Sequence, residues 1–159
     1  CDPFENEELQ EEYHVKYTDL DTLLTESNII TLHLPLTKES RYLINKERIA
    51  KMKHGVMLIN TSRGALVNTK DAIEALKMGK IGYFGIDVYE EEAGLFFEDH
   101  SDDILQDDVI ARLMTFQNVL ITSHQAFLTH EALGEIAEIT RYNIDCWDQG
   151  MDSANELTG

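Results

Sequence analysis

Three features of this 159-residue chain predict an α/β fold built on a parallel sheet. Short apolar runs rich in β-branched residues alternate with segments of helical periodicity, the rhythm of right-handed βαβ units. Polar residues suited to capping stand where those helical segments begin. The residues able to do chemistry fall just past the ends of the apolar runs, on the rim where open parallel sheets bind ligands.

Taken in order, "YHVKY" (13–17) reads as a short strand. "TDLDTLLTES" (18–27) places Leu20, Leu23 and Leu24 on one helical face, behind a capping-box-like Thr18 and Asp21. "NIITLHL" (28–34) is a buried-type strand. "NKERIAKM" follows as a helix, with Asn45 as N-cap, Ile44 and Ile49 placed as a hydrophobic staple, and Gly55 suited to its exit. "VMLIN" (56–60) is another buried strand, and Asn68 caps "TKDAIEALKM", which Gly79 can terminate. "IGYFGIDVY" (81–89) and "NVLITS" (118–123) complete the strands of a sheet expected to be covered on both faces. Residues 129–148 form an amphipathic helix with Leu133, Ile136, Ala137, Ile144 and Trp147 as its apolar side, and the tail "DSANELTG" is expected to fray.

Composition narrows the function. The formal charge of −17 leaves no basic stripe for nucleic acid or an anionic membrane surface, so neither is expected as a partner. Any anionic ligand must then be held by local donors against the global field. No run approaches membrane-spanning length, the first residues lack a secretory pattern, and the two cysteines support neither a disulfide framework nor a cysteine zinc site. A cytoplasmic setting is the expectation. Residues 90–108 carry nine acidic side chains and no Lys or Arg, which reads as a solvated acidic loop. Asp99, His100 and Asp102 within it have no recognised metal-ligand spacing, and no metal is expected. The series "GKIGYFG" enters a strand rather than a helix, and no G-x-G-x-x-G occurs.

The strand exits carry the chemistry. Pro35 follows the run 28–34; Thr61, Ser62 and Arg63 follow 56–60; Asp87 and then "VYEEE" follow the next; His124 follows the last. An arginine fork can hold a carboxylate bidentately. A histidine beside a carboxylate can donate a proton to a carbonyl oxygen and recover it in reverse. An anion clamp with a carboxylate-backed histidine suits a 2-keto acid passing to a 2-hydroxy acid, with hydride coming from a cofactor. Taken singly, each residue also has an ordinary reading, as surface ion pair, strand-end histidine or acidic loop.

"HLPLTKESRYLINKERIAKMKHGVMLINTSRGALVN", "GYFGIDVYEEE" and "NVLITSHQAFLT" resemble the D-isomer-specific 2-hydroxyacid dehydrogenases over nearly the whole chain. "LFFEDHSDDILQDDV" with "SHQAFLT" most resembles the fermentative D-lactate dehydrogenases among them. The resemblance implies an oxidoreductase on a Rossmann-type NAD-binding domain, with Arg63 on the substrate carboxylate, His124 as proton donor and Glu92 as its acidic partner. It implies NAD contacts from Asp2, Leu34, Pro35, Ser40, Thr61, Ser62 and Asp87, with the acid at position 2 favouring NAD over NADP. Phe127 is implied as a wall of the substrate pocket, pyruvate and D-lactate as the substrate pair, and a homodimer as the assembly.

The family's substrate domain and its first βαβ unit with G-x-G-x-x-G are absent from the sequence. Residues 1–125 are therefore expected to be the C-terminal portion of the NAD-binding domain, and 126–159 a helix and tail returning to the substrate domain. In the family's strand order 3-2-1-4-5-6-7 the chain would supply strand 3 and strands 4 to 7, leaving an apolar edge unpaired. The isolated chain is expected to be inactive. Two rival functions remain open: a dehydrogenase for another D-2-hydroxy acid (glycerate, hydroxyisocaproate, phosphoglycerate), and an NAD-sensing, corepressor-like interaction module.

Overall fold

The computed structural model describes residues 1–92, 95 and 106–156, and the chain divides into two compact units, 1–124 and 125–159. The first unit holds β1 (Ile29–Leu32), β2 (Val56–Asn60), β3 (Ile81–Ile86) and β4 (Val119–Ile121) in one parallel sheet, in sequence order. Helices α1 (Glu7–Tyr13), α2 (Leu20–Glu26), α3 (Lys46–Lys51), α4 (Thr69–Lys77) and α5 (Asp108–Met114) are interleaved with them. The second unit holds α6 (His130–Asp148).

The helix starts follow local chemistry. Asn45 and Asn68 accept N–H bonds from Arg48 and Asp71, as the sequence implies, and Ile44 and Ile49 are both buried around the first of these caps. The cap of α2 is Asp19 rather than Thr18. Its carboxylate takes both the backbone N–H (2.9 Å) and the hydroxyl (2.7 Å) of Thr22, a double attachment that holds the acid below the usual carboxylate range. Gly55 does not end α3, whose C-cap is Met52; with φ +77° it turns the chain into β2 and donates to the Lys80 carbonyl. Helix α5, not among the expected elements, has Asp107 as its N-cap, whose carboxylate accepts from Val109 and Ile110 N–H.

Residues 14–17 are not a strand. A lone β-segment with no neighbour to complete its ladder has no reason to persist, and β1 is the edge of the sheet as described. The expectation of a sheet covered on both faces also fails in this unit. The strands alternate, with Ile30, Leu32, Leu58, Phe84 and Ile86 buried in one core with Leu24, Ile49, Ile73, Leu76 and Leu113 from the helices. The opposite face shows Ile29, Tyr83 and Leu120 to solvent. The cause is topological. Right-handed crossovers that all step the same way across a sheet leave every helix on one side, and the reversal needed to place helices on the other is not within these four strands.

In the second unit Thr129 caps α6, yet Leu133, Ile136, Ile144 and Trp147 are exposed and Cys146 is the helix's buried residue. One helix and a short tail have too little surface to cover that stripe. Within the described part of the tail, Asn143 Oδ1 accepts from the Ser153 hydroxyl and the Asn155 amide, which anchors residues 153–155 to α6. Among the described residues no helix is long and apolar enough to cross a membrane. The acidic stretch around Asp99, His100 and Asp102 lies outside the described residues.

Leu58, fully buried in the central strand β2, should lose about 2–5 kcal/mol of stability on replacement by Ala. Urea unfolding monitored by circular dichroism measures it, and a change below 1 kcal/mol, on the order of an exposed site, would contradict this packing.

Candidate active site

Because β2, β3 and β4 run in parallel with Asn60 beside Ile86 and Ile86 beside Ile121, their carboxyl ends open on one edge. Arg63, Glu92 and His124 leave that edge from three consecutive strands spaced about 4.8 Å apart. Two backbone bonds carry the ladder past the strands: Asp87 N–H to the Asn60 carbonyl (3.0 Å) and His124 N–H to the Asp87 carbonyl (2.5 Å).

His124 Nδ1 lies 3.0 Å from Glu92 Oε1, both side chains partly buried, and Glu92 Oε2 accepts the Tyr89 N–H at 3.1 Å. The acid is thus fixed from two sides. Ser123 and His124 both have left-handed backbones (φ +52° and +57°), a conformation that costs non-glycine residues of order 1–3 kcal/mol each. Their turn aims the imidazole toward Glu92, and the Asp87 carbonyl holds it there. Serine gives no sign of such a turn in the sequence, and histidine only an enrichment in that region.

Arg63 is solvent-exposed and extended, with Nη1 donating to the Ser62 carbonyl at 2.7 Å. Its turn is organised by Asn60, which is not among the residues expected at the site. That side chain is 1% exposed; Oδ1 accepts the Ser62 N–H (3.1 Å) and Nδ2 donates to the Arg63 carbonyl (2.9 Å). The available signal was an amide closing an otherwise apolar strand, directly before "TSRG". Gly64 is required where it stands, since a Cβ there would overlap the Tyr89 carbonyl and the Glu90 nitrogen. The arginine's turn therefore lies directly on the segment that leads to Glu92.

The residues expected to meet a cofactor divide. Asp2, Pro3, Leu32, His33 and Leu34 line one groove of about 500 Å³ beside β1. The Ser62 hydroxyl donates to the Leu34 carbonyl at 2.6 Å, tying the exits of β1 and β2 together, and Thr61 and Pro35 are exposed on the same rim. Ser40 is buried and its hydroxyl serves its own loop, accepting the Thr37 N–H (2.7 Å) and donating to the Pro35 carbonyl (2.8 Å). Asp87 is 2% exposed and its carboxylate accepts the Thr122 hydroxyl. Phe127 belongs to the second unit, where it is exposed. Among the described residues no cluster of three or more His, Cys, Asp or Glu forms a metal site.

A parallel α/β domain with an arginine turn and a carboxylate–imidazole pair on its carboxyl edge belongs to the nucleotide-binding dehydrogenase type of architecture. The chain is a member of the D-isomer specific 2-hydroxyacid dehydrogenase family, whose NAD-binding domain matches residues 1–126. It is 53% identical to the D-lactate dehydrogenase of Escherichia coli over 146 residues, 92% of this chain and 44% of that protein. It is 47% identical to an aromatic 2-oxoacid reductase of Clostridium sporogenes over 143 residues, 90% of this chain and 43% of that protein. The solved D-lactate dehydrogenase of Salmonella superposes with a TM-score of 0.86 at 51% identity, covering 99% of this chain and 48% of that one. The chain spans less than half the length of these relatives.

Replacing Asn60 by Ala removes two hydrogen bonds from a buried site and should cost about 1–3 kcal/mol. Asn60→Ala should also loosen the Arg63 turn, measured as faster amide exchange at Ser62 and Gly64; unchanged exchange at both would argue against this role.

Proposed function

We propose that this chain, joined to the remainder of a protein of its relatives' length, interconverts pyruvate and D-lactate with NAD(H). The observation that carries the reading is the Glu92–His124 pair at 3.0 Å, on the same sheet edge as Arg63. Family membership supports the reaction class, and the name of the E. coli relative supports the substrate pair.

The groove beside β1 fits the adenosine end of a dinucleotide, offering apolar walls and the Asp2 carboxylate for ribose hydroxyls. Leu34, Pro35, Thr61 and Ser62 would line its path along the rim and Asp87 its nicotinamide end, while Ser40 shapes the 35–40 loop. When bound, the cofactor supplies the hydride, which no protein side chain can.

The chain's own residues do the rest. The Arg63 fork takes the substrate carboxylate in a charge-assisted contact worth about 1.5–3 kcal/mol, placing the ketone beside the imidazole. His124 gives the proton carried at Nε2 to the carbonyl oxygen as the carbon is reduced, so the ketone becomes a hydroxyl rather than an alkoxide. Glu92, hydrogen-bonded at Nδ1, keeps the ring in the tautomer and orientation that direct Nε2 at the substrate. In the oxidative direction the neutral imidazole takes the hydroxyl proton back.

The Clostridium relative's name favours a second reading in which the substrate is an aromatic 2-keto acid. A panel of pyruvate, phenylpyruvate and other 2-keto acids, assayed by NADH absorbance on the full-length protein, separates the two. The 159-residue chain alone is expected to show no saturable pyruvate reduction, because no G-x-G-x-x-G loop is present to hold the pyrophosphate.

In the full-length protein His124→Gln should lower kcat by about 10²–10⁴-fold with NADH affinity nearly unchanged. Wild-type turnover in that variant would remove His124 from the proton transfer. Arg63→Gln should raise the pyruvate KM by about tenfold or more, given the energy of a charged hydrogen bond. An unaltered KM would count against the carboxylate clamp.

A further inference from the structure

Glu90 stands two residues before Glu92 and is likewise half-buried, yet its carboxylate faces a different set of donors. Oε2 accepts the Tyr42 hydroxyl at 2.8 Å, and Oε1 accepts the backbone N–H of Thr69, the first residue of α4, at 3.3 Å. The partner tyrosine is itself tied to the arginine's segment. Tyr42 N–H donates to the Ala65 carbonyl (2.8 Å), Ile44 N–H to Leu66 (2.9 Å), and Asn68 N–H to the Ile44 carbonyl (2.8 Å), so residues 42–45 and 65–68 form one bridged piece. Tyr42 holds a left-handed backbone at φ +52°, strained for an aromatic residue, and the bonds at its two ends hold it there. The Glu90 hydrogen bond also raises the hydroxyl's pKa.

We propose that Glu90 and Tyr42 are a positioning pair that sets the spacing between the Arg63 clamp and the Glu92–His124 proton pair. This rests on the function proposed above and adds to it residues that touch neither substrate nor cofactor. At the root of the two segments the Asp87–Asn60 backbone bond fixes their separation, and the Gly64 contact with Tyr89 fixes their stacking. Beyond that point Glu90 ties the segment of Glu92 to both Tyr42 and the start of α4, which continues from the Arg63 turn. A carboxylate suits the task because it presents two charged acceptors to two donors that lie on different elements. A displacement of about 1 Å between an anion clamp and a proton donor can cost on the order of 10²-fold in rate.

The test uses the full-length enzyme with kcat, keto-acid KM and NADH Kd measured for each variant. Tyr42→Phe removes only the hydroxyl, and Glu90→Ala removes both bonds. Each should raise the keto-acid KM and lower kcat, by roughly tenfold apiece, while the NADH Kd moves by less than about twofold. The double variant should be no worse than Glu90→Ala, since Glu90→Ala already breaks the contact that Tyr42→Phe removes. Glu90→Gln, whose amide oxygen can accept from Thr69 and whose NH₂ can donate to the tyrosine oxygen, should recover most of the activity. Unchanged KM and kcat in Tyr42→Phe and Glu90→Ala, additive effects, or losses seen only as a smaller folded fraction would overturn the pairing. If wild type turns over and His124→Gln does not while Tyr42→Phe is silent, this proposal alone falls; if wild type reduces no 2-keto acid, the function proposed above falls and takes this one with it.

Discussion

The site depends on a hydrogen-bond ladder that does not stop where the strands do. Asp87 donates back to Asn60, and its carbonyl receives the His124 N–H, so three strand exits are held in step beyond the last regular rung. Parallel strands make this possible, because their carboxyl ends share one edge and their neighbours sit less than 5 Å apart, about the spacing of one sheet rung. Each exit then diverges in its own way. Asn60 folds the first into the Arg63 turn, Glu92 caps the second by accepting from Tyr89, and two left-handed residues bend the third.

Rigidity here comes from buried polar groups being satisfied rather than from apolar packing alone. Asn60 and Asp87 lie almost wholly inside, and an unpartnered amide or carboxylate there would cost several times what a paired one contributes. Asn60 uses both ends of its amide on the turn, and Asp87 takes the Thr122 hydroxyl. Among the described residues no buried side-chain nitrogen or oxygen lacks a partner. Tyr89 follows the same logic further from the rim. Its hydroxyl donates to Asp107, the residue that caps α5, and burial, with that acidic partner, pushes its pKa far up.

Among its described residues, the first unit carries a sheet with the crossover helices α3, α4 and α5 packed on one side, an apolar opposite face and an unpaired edge at β1. The same directional topology that lines up the three exits produces this asymmetry. Four strands added in one direction align their carboxyl ends and, by the handedness of the crossover, send the connecting helices α3, α4 and α5 the same way. Order at the rim and exposure on the far face have one cause.

Much of this was written in the sequence. The strands β1 to β4, the asparagine caps of α3 and α4, and the placing of Arg63, an acidic run and His124 at strand exits follow from period, cap chemistry and position after an apolar run, all of which are local, whereas the choice of Glu92 within that run came from the family resemblance. Residues 13–17 have strand composition and no strand, because pairing needs a neighbour and composition cannot supply one. The bare face of the sheet, the exposed stripe of α6, the amide role of Asn60 and the left-handed turn at Ser123 and His124 were likewise invisible. Each depends on what lies across space from a residue. Local chemistry decided which groups reach the rim; only the tertiary contacts decided that the Glu92 carboxylate meets the imidazole and the Glu90 carboxylate meets a tyrosine.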